Sequence, residues 1–489
     1  MNFIYKILTV WILFSMVSCT DEFGDINVDP NALSDIDPEA IFSKSVHNLF
    51  STGVRSLQYQ AGAQYSHFYV GLNVDHQTDI YKIDFTGGLS NSVFEGYYKV
   101  LRHSNEVRYL TEPGGEYENS LQHAIGSVIS LYTYATLTDA FGSVPYTEGG
   151  WGRKDILQPK YDEQETIYKG IIEELATILA EVESGDPAKG FPSGDPIYNN
   201  DLTKWAKFIN SFRLRLAMRM RFVDASYADP VIAECISKPL IDEISDQVKW
   251  TGLEADISLN NPWYDIFQFF RFRMGEKIID QLKNTNDPRL SIYAKPNVDG
   301  EYIGMPNGLA DSTFPLWDID NTSEPTDDLV GIDATTYLMT SAEIYFLRAE
   351  AALFGLTSEN SNAMYRLGIS QSLLQWGVSL AEIDDFLLEP SSTLSGTQEQ
   401  QFEQISTQMW IALAPNFGEA YSNIRRTGYP RIPQRDGINF AKGDTDGYLP
   451  SRLVYPLNEQ LQNPSNYEIA VEQMNGDDLT NKVWWDVRD

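Results

Sequence analysis

Cysteine is almost absent from this sequence, with two in 489 residues. Cys19 falls in an N-terminal targeting stretch and Cys235 stands alone in the remainder, so no disulfide and no cysteine metal site is expected. Basic residues are scarce as well. The 36 Lys+Arg stand against 69 Asp+Glu, giving a formal net charge of -33. Such a field repels phosphate backbones and anionic lipid, which argues against a nucleic-acid partner. The signatures of covalent chemistry are missing. No H-E-x-x-H spacing links His47, His67, His76, His103 or His123, and no Gly-x-Ser-x-Gly, P-loop or dinucleotide fingerprint occurs where it should. The runs from Asp318 to Asn321 and from Asp444 to Gly447 are like calcium loops but lack the full ligand order, and Ser323 sits where the first would need glycine. Neither a metal nor a cofactor is expected.

The chain is rich in apolar and aromatic residues, at 42% and 12%, enough for a large core. At this length two or three domains, or one large helical array, are expected. The clearest element is TSAEIYFLRAEAALFG, from Thr340 to Gly355. Thr340 and Glu343 have capping-box spacing, and Ile344, Leu347 and Ala351 recur at helical intervals. Gly355 supplies a left-handed stop, and a second helical pattern from Ser361 to Trp376 makes the two an antiparallel hairpin.

The first residues hold Lys6 and an apolar run from Ile7 to Val17. That run is too short to span a bilayer and fits a secretory signal peptide over 1–18. Met16-Val17-Ser18-Cys19 resembles the bacterial lipobox, in which cleavage precedes the cysteine and acyl chains such as palmitate are attached to it. Leucine is commoner than methionine at the first position. Several acyl chains, at about 0.8 kcal/mol per buried CH₂, make an effectively permanent anchor. Thr20, Asp21 and Glu22 resemble the acidic surface-export signal of Bacteroidetes lipoproteins. A polar tether over 19–37 completes the leader.

Helical patterns follow from Pro38 towards Tyr69, from Val93 to Leu110, and near Leu121–Asp139, Glu163–Glu183, Leu202–Asp224 and Pro230–Ser237. The helical period fades between Trp250 and Ser341, where NNPWYDIFQFFRFR, YIGMPNGL and FPLWDIDN make an aromatic insertion. It is too aromatic for disorder and is expected to form a folded subdomain. One long helix is expected from Thr397 to about Arg426, then a Pro-rich tail ending NKVWWDVRD. Paired helices at such intervals suggest a right-handed tetratricopeptide-like stack, although the strict repeat consensus is absent.

Several stretches resemble the SusD/RagB outer-membrane nutrient-binding lipoproteins. TDAFGSVPYTEG (Thr138–Gly149) is similar to their D-x-F-G-x-V-P-Y-[ST]-E segment, and WAKFINSFRLRLAMR (Trp205–Arg219) to their N-x-[LF]-R-L-R-x-A helix. DPRL from Asp287, the AE-x-x-F-L-x-AEA helix, EAYSNIRRTGYP and SRLVYPLNEQLQN follow in family order. The MTSAE helix, YIGMPNG and the terminal WWD resemble the SusD-like subgroup. The resemblance implies a mainly α protein with four tetratricopeptide-like helix pairs and an irregular, loop-rich, ligand-facing subdomain. It divides 38–489, one SusD-like domain, into helix pairs at about 38–240 and 339–430, an insertion at about 241–338 and a tail at 431–489. It also implies a lipid-anchored, outward-facing subunit of the outer membrane, partnered by a SusC-like TonB-dependent β-barrel, with no chemistry done on the ligand.

The arginines of these motifs read as scaffold. Arg213, Arg215 and Arg219 are expected to fork onto carboxylates such as Glu343 or Glu350, and Arg425 and Arg426 likewise. Asp139 and Glu148 are the nearest thing to an acid/base pair, and catalysis by them is not expected. A ligand site belongs in the aromatic loops, since sugar rings stack on aromatic faces while rim polar groups bond their hydroxyls. By position in the family, Tyr65, His67, Phe68, Tyr69 and Asp75 would form one side, with Trp263, Tyr264, Phe269, Arg271, Tyr302 and Trp317 opposite. The expected function is capture of an oligosaccharide for import. A peptide ligand stays open, as do, more remotely, a surface-anchored glycoside hydrolase and a pure assembly scaffold.

Overall fold

A computed structural model describes residues 37–72, 75–82, 88–151 and 155–488. The signal segment, the lipobox with Cys19 and almost all of the tether lie outside them.

Helix α1 (Pro38–Ser51) opens on Asp37, whose side chain accepts from the Glu39 N–H at 2.9 Å. The single helix expected up to Tyr69 breaks at Gly53, where φ is +74° and a β-carbon would sit 2.7 Å from the Tyr97 hydroxyl. The next turn, Val54–Ala63, winds as a π-helix, a form found mostly at functional sites. Long helices follow: α2 (Gly88–Thr111), α3 (Ser120–Phe141), α4 (Gln164–Ser184), α5 (Leu202–Met220) and the shorter α6 (Ala225–Ile236). Asn119 caps α3 and Asp201 caps α5 through their side-chain oxygens, each satisfying a free first-turn N–H.

The stretch from 248 to 339 leaves the helical array and returns to it. Its ends pair as antiparallel strands β2 (Val248–Thr251) and β4 (Thr335–Met339), with Thr251 opposite Thr335. Inside it lie α7 (Pro262–Phe270), β3 (Arg273–Met274) and α8 (Glu276–Asn284). Besides short helices at Arg289–Tyr293 and Asp327–Val330, α7 and α8 occupy a region in which no helical period was expected. Each spans nine residues, too few turns for the pattern to stand out. In α8 the buried Ile278, Ile279 and Leu282 are the whole apolar stripe.

Then come α9 (Ser341–Leu353) and α10 (Ser361–Gln375), the expected hairpin, with Gly355 at φ +75° just past the first helix. The capping box at its start is half formed. Thr340 Oγ1 accepts from the Glu343 N–H at 3.3 Å, but the Glu343 carboxylate turns to Arg215. The long helix expected from Thr397 is two, α11 (Gln398–Ala412) and α12 (Phe417–Thr427). Pro415 has no N–H for the ladder and its ring would clash with the preceding turn. Asn416 then caps the new helix. The Pro-rich tail contains two more helices, Leu457–Gln462 and Pro464–Gln473.

The pairs α2/α3, α4/α5, α9/α10 and α11/α12 pack side by side, with α1 on α2 and the π-helical turn on α12. The protein is mainly α with a tetratricopeptide-like helical scaffold. Ion pairs lock the pairs to one another. Arg215 forks onto Glu343, Arg426 onto Glu350 at 2.7 Å on both oxygens, and Arg219 bridges Asp139 and Glu419. Arg213 meets Glu234, and Arg425 donates to the carbonyls of Asp139 and Ser451. Every arginine of the shared motifs is committed to the scaffold.

Candidate functional site

Strand β1 (Tyr69–Val70) pairs with β3, Tyr69 opposite Met274 and Val70 opposite Arg273. This short ladder brings the segment after the first helix against the insertion. The Gly275 N–H donates to the Phe68 carbonyl at 2.7 Å, and the Met305 N–H to the Met274 carbonyl at 2.8 Å.

The nominated residues divide by depth. Tyr65, Phe68, Tyr69 and Trp263 are at most 1% exposed and present no face to a ligand. They belong to an aromatic core in which the Trp263 ring meets those of Tyr59, Tyr69, Phe272 and Phe417. The correction has a simple cause, because these rings pack onto Trp410 of α11 and Phe417 and Tyr421 of α12. Asp75 is buried too, with one oxygen accepting from Gln60 Nε2 at 2.6 Å; burial pushes its carboxyl up, against the pull of that bond. His67, Tyr264, Tyr302 and Trp317 are half-buried, while Phe269 and Arg271 are exposed. Tyr302 lies on the flank of α8, its carbonyl bonded by Lys283 Nζ.

Trp317 finds company that position in the sequence did not reveal. With Phe314, Ile319 and Phe440 it packs on a small satellite core of Val70, Leu72, Met305 and Leu309. Leu316 stands 82% exposed between them, and the His76 ring lies 4.1 Å from that of Phe314, tilted by 40°. The result is an apolar shelf. Beside it, sharing Phe440, opens a cleft of about 610 Å³. His67, Asn307 and Arg435 line it together with one side of α8 (Glu276, Lys277, Asp280, Gln281), and Gln434 and Asp436 stand at its other wall.

Asp79 holds the cleft together. Fully buried, it accepts from Asn307 Nδ2 at 2.7 Å and from the Gly308 N–H at 2.6 Å, while its own carbonyl accepts from Arg435 Nη1 at 2.6 Å. One residue thus ties the segment after the first helix, the insertion and the tail. The Arg435 guanidinium lies 3.4 Å over the Tyr81 ring. The His67 Nε2 sits 3.3 Å from the Tyr81 hydroxyl; burial, then Arg435 and Lys277, hold its pKa well below the usual imidazole range.

The backbone marks the same place. Among the described residues, the non-glycine positive φ angles belong to Asn or Asp, which tolerate them, except at His67 (59°), Tyr81 (58°) and Arg271 (48°). His67 in the cleft wall touches the buried Tyr81, which lies beneath Arg435, and Arg271 closes α7 two residues before β3. Strain of this kind, of order 1–3 kcal/mol per residue, persists where the surroundings enforce it and clusters at ligand clamps.

The two carboxylates that could have formed an acid/base pair are engaged elsewhere. Asp139 is held by Arg219, Tyr168 and Trp485, and Glu148 accepts from the Lys160 N–H at 2.9 Å, so each carboxylate has partners of its own. Among the described residues no three His, Cys, Asp or Glu side chains gather as a metal set. Asp446 in the second calcium-like run faces Lys442 at 3.4 Å. Sequence reasoning missed Asp79, Lys277, Phe314, Arg435 and Phe440. Asn307 lay inside the YIGMPNGL stretch and Phe314 opens FPLWDIDN, but neither was singled out, and the others carried no motif.

A tetratricopeptide-like scaffold with an irregular, aromatic, loop-built face is the architecture of a binding protein. A family model described as "Starch-binding associating with outer membrane" matches residues 30–456, and the chain belongs to this SusD-like family. These are binding proteins rather than enzymes, associated with the outer membrane. Among solved structures, one titled a chitin-binding protein is 25% identical, covers 92% of this chain and 100% of its own, and superposes with a TM-score of 0.82. A chitin-binding SusD homologue from Flavobacterium johnsoniae is 24% identical over 92% of this chain and 99% of its own, TM-score 0.80. A SusD homologue from Bacteroides uniformis is 23% identical over 93% and 100%, TM-score 0.78. A comparison with curated protein sequences finds no match. No described helix is long and apolar enough to cross a membrane.

Proposed function

We propose that this protein is a lipid-anchored, outward-facing binding subunit that captures an oligosaccharide on the face around β1 and β3 and passes it unaltered to a SusC-like TonB-dependent barrel. The observation that carries this reading is an aromatic shelf of Trp317, Phe314 and Phe440 set beside a polar cleft whose wall holds His67 in left-handed backbone. A stacking surface next to a cleft lined by amides and charges suits a hydroxyl-rich ring. A peptide added as a β-strand would need a free sheet edge, and β1 and β3 are two residues each. The family's starch-binding description and the two relatives titled chitin-binding support a glycan. Trp317, His67, Tyr264, Phe269, Arg271 and Tyr302 stay as the nominated contacts, joined by Phe314 and Phe440. The lipobox at Cys19 supports the anchor, and the tether from there to Asp37 reaches at most about 60 Å.

Two experiments test this. Metabolic labelling with a fatty acid is expected to mark the wild type and not a Cys19→Ala variant. Extraction in mild detergent is expected to bring a large β-barrel down with the protein. An unlabelled wild type free in the periplasm, or bond cleavage in an offered glycan, would overturn the reading.

A further inference from the structure

We propose that the floor of the cleft, where His67, Lys277 and Arg435 converge, is a subsite for a negatively charged substituent of the glycan, a carboxylate or a sulfate ester. The inference rests on the glycan reading of the same face. Arg435 is 6% exposed and donates only Nη1, to the Asp79 carbonyl; its Nε and Nη2 find no acceptor. A buried guanidinium left short of acceptors is costly, and an anion beside it offsets that cost. Lys277 lines the same cleft, half-buried, and forms no ion pair among the described residues. Its flexible ammonium supplies the direct contact, and Arg435 adds charge from beneath.

Asp79 is close enough for Arg435 to oppose the effect of burial on its carboxyl, but that carboxylate accepts from Asn307 Nδ2 and the Gly308 N–H and leaves Arg435 Nε and Nη2 without an acceptor. Asp436 is exposed, faces Lys442 at 3.7 Å and accepts from the Gly437 N–H. Glu276 and Asp280 are exposed one turn apart on α8. Burial, then Arg435 and Lys277, hold the pKa of the neighbouring His67 down. A neutral hydroxyl gains little from such a potential, whereas charge-assisted hydrogen bonds are roughly twice as strong as neutral ones.

The test is calorimetry on the full mature protein in detergent, with two matched pairs of probes. One is a uronic-acid oligosaccharide and its methyl ester, the other a sulfated oligosaccharide and its desulfated form. One acidic member is expected to bind about tenfold tighter than its neutral partner, and which pair shows this identifies the substituent. In Lys277→Met, with an unchanged melting curve, the preference is expected to vanish while neutral binding persists. Equal binding of acidic and neutral members, weakened in both by Trp317→Ala, would overturn the subsite and leave the glycan reading standing. An acidic preference that survives both Lys277→Met and Arg435→Met would also overturn it. Failure of all four probes to bind would overturn the glycan reading and the subsite with it.

Discussion

Arg215 meets Glu343 fork to fork, its Nε and Nη2 donating to the two carboxylate oxygens at 2.5 and 2.6 Å, with both side chains buried. The pair joins α5 to the start of α9, helices far apart in sequence, and Arg215 Nη2 also reaches the Leu338 carbonyl. Removing one partner strands the other. Glu343→Gln or Arg215→Met is expected to cost about 3–5 kcal/mol in denaturant unfolding. The double change to methionines is expected to recover only part of that, because the buried Glu419 carboxylate and the Tyr132 hydroxyl also lose Arg215 as a partner. A loss below about 1 kcal/mol in either single variant would show that the pair is incidental.

Arg271 occupies the left-handed cap of α7 at φ 48°, a position that favours glycine. Arg271→Gly is expected to stabilise the fold by roughly 0.5–1 kcal/mol, the strain released less the backbone entropy a glycine loses. The same change is expected to weaken glycan binding. Stabilisation with unaltered affinity would remove Arg271 from the site.

The tryptophans separate scaffold from surface. Trp263→Ala empties a core position and is expected to cost about 3–5 kcal/mol of stability. Trp317→Ala, on the shelf, is expected to leave the melting curve nearly unchanged and to lower glycan affinity about tenfold or more, as loss of an aromatic anchor does. Thermal melts and titration calorimetry on the two variants check this side by side.

Burial lowers the pKa of His67, His76 and His123, with Arg435 adding to the effect at His67 and Arg108 at His123. In the unfolded chain these imidazoles titrate near 6.5, so the unfolded state binds protons first as pH falls. Their contribution to stability is therefore complete above about pH 6.5 and declines below it, until the folded pKa values are passed. Denaturant midpoints at pH 7.5 and 5.5 are expected to show the fall, and His67→Gln is expected to reduce its slope.

Much of this was legible in the sequence, and the limits have physical causes. The α9/α10 hairpin was plain because caps, apolar period and Gly355 agree. The arginine forks were foreseen because buried guanidinium groups need carboxylates, and Glu343 and Glu350 sat on the helix most clearly drawn. Helix breaks were harder, as Gly53 and Pro415 each interrupt a pattern whose apolar period runs on through them. The site was the least legible part. Tyr69 and Trp263 look like ligand-stacking aromatics in sequence, and only their shared contact with Phe417, far along the chain, shows that they face inward. Phe440 and Arg435 join the cleft through contacts with Leu309 and Asp79, residues far away in the chain.

The most direct test of the account is hydrogen–deuterium exchange of the backbone amides with and without a bound oligosaccharide. The site described here requires slowed exchange in 67–72, 305–319 and 434–441, with α3 and α4 unchanged. Protection confined to the helix pairs, or spread evenly over the chain, would contradict it.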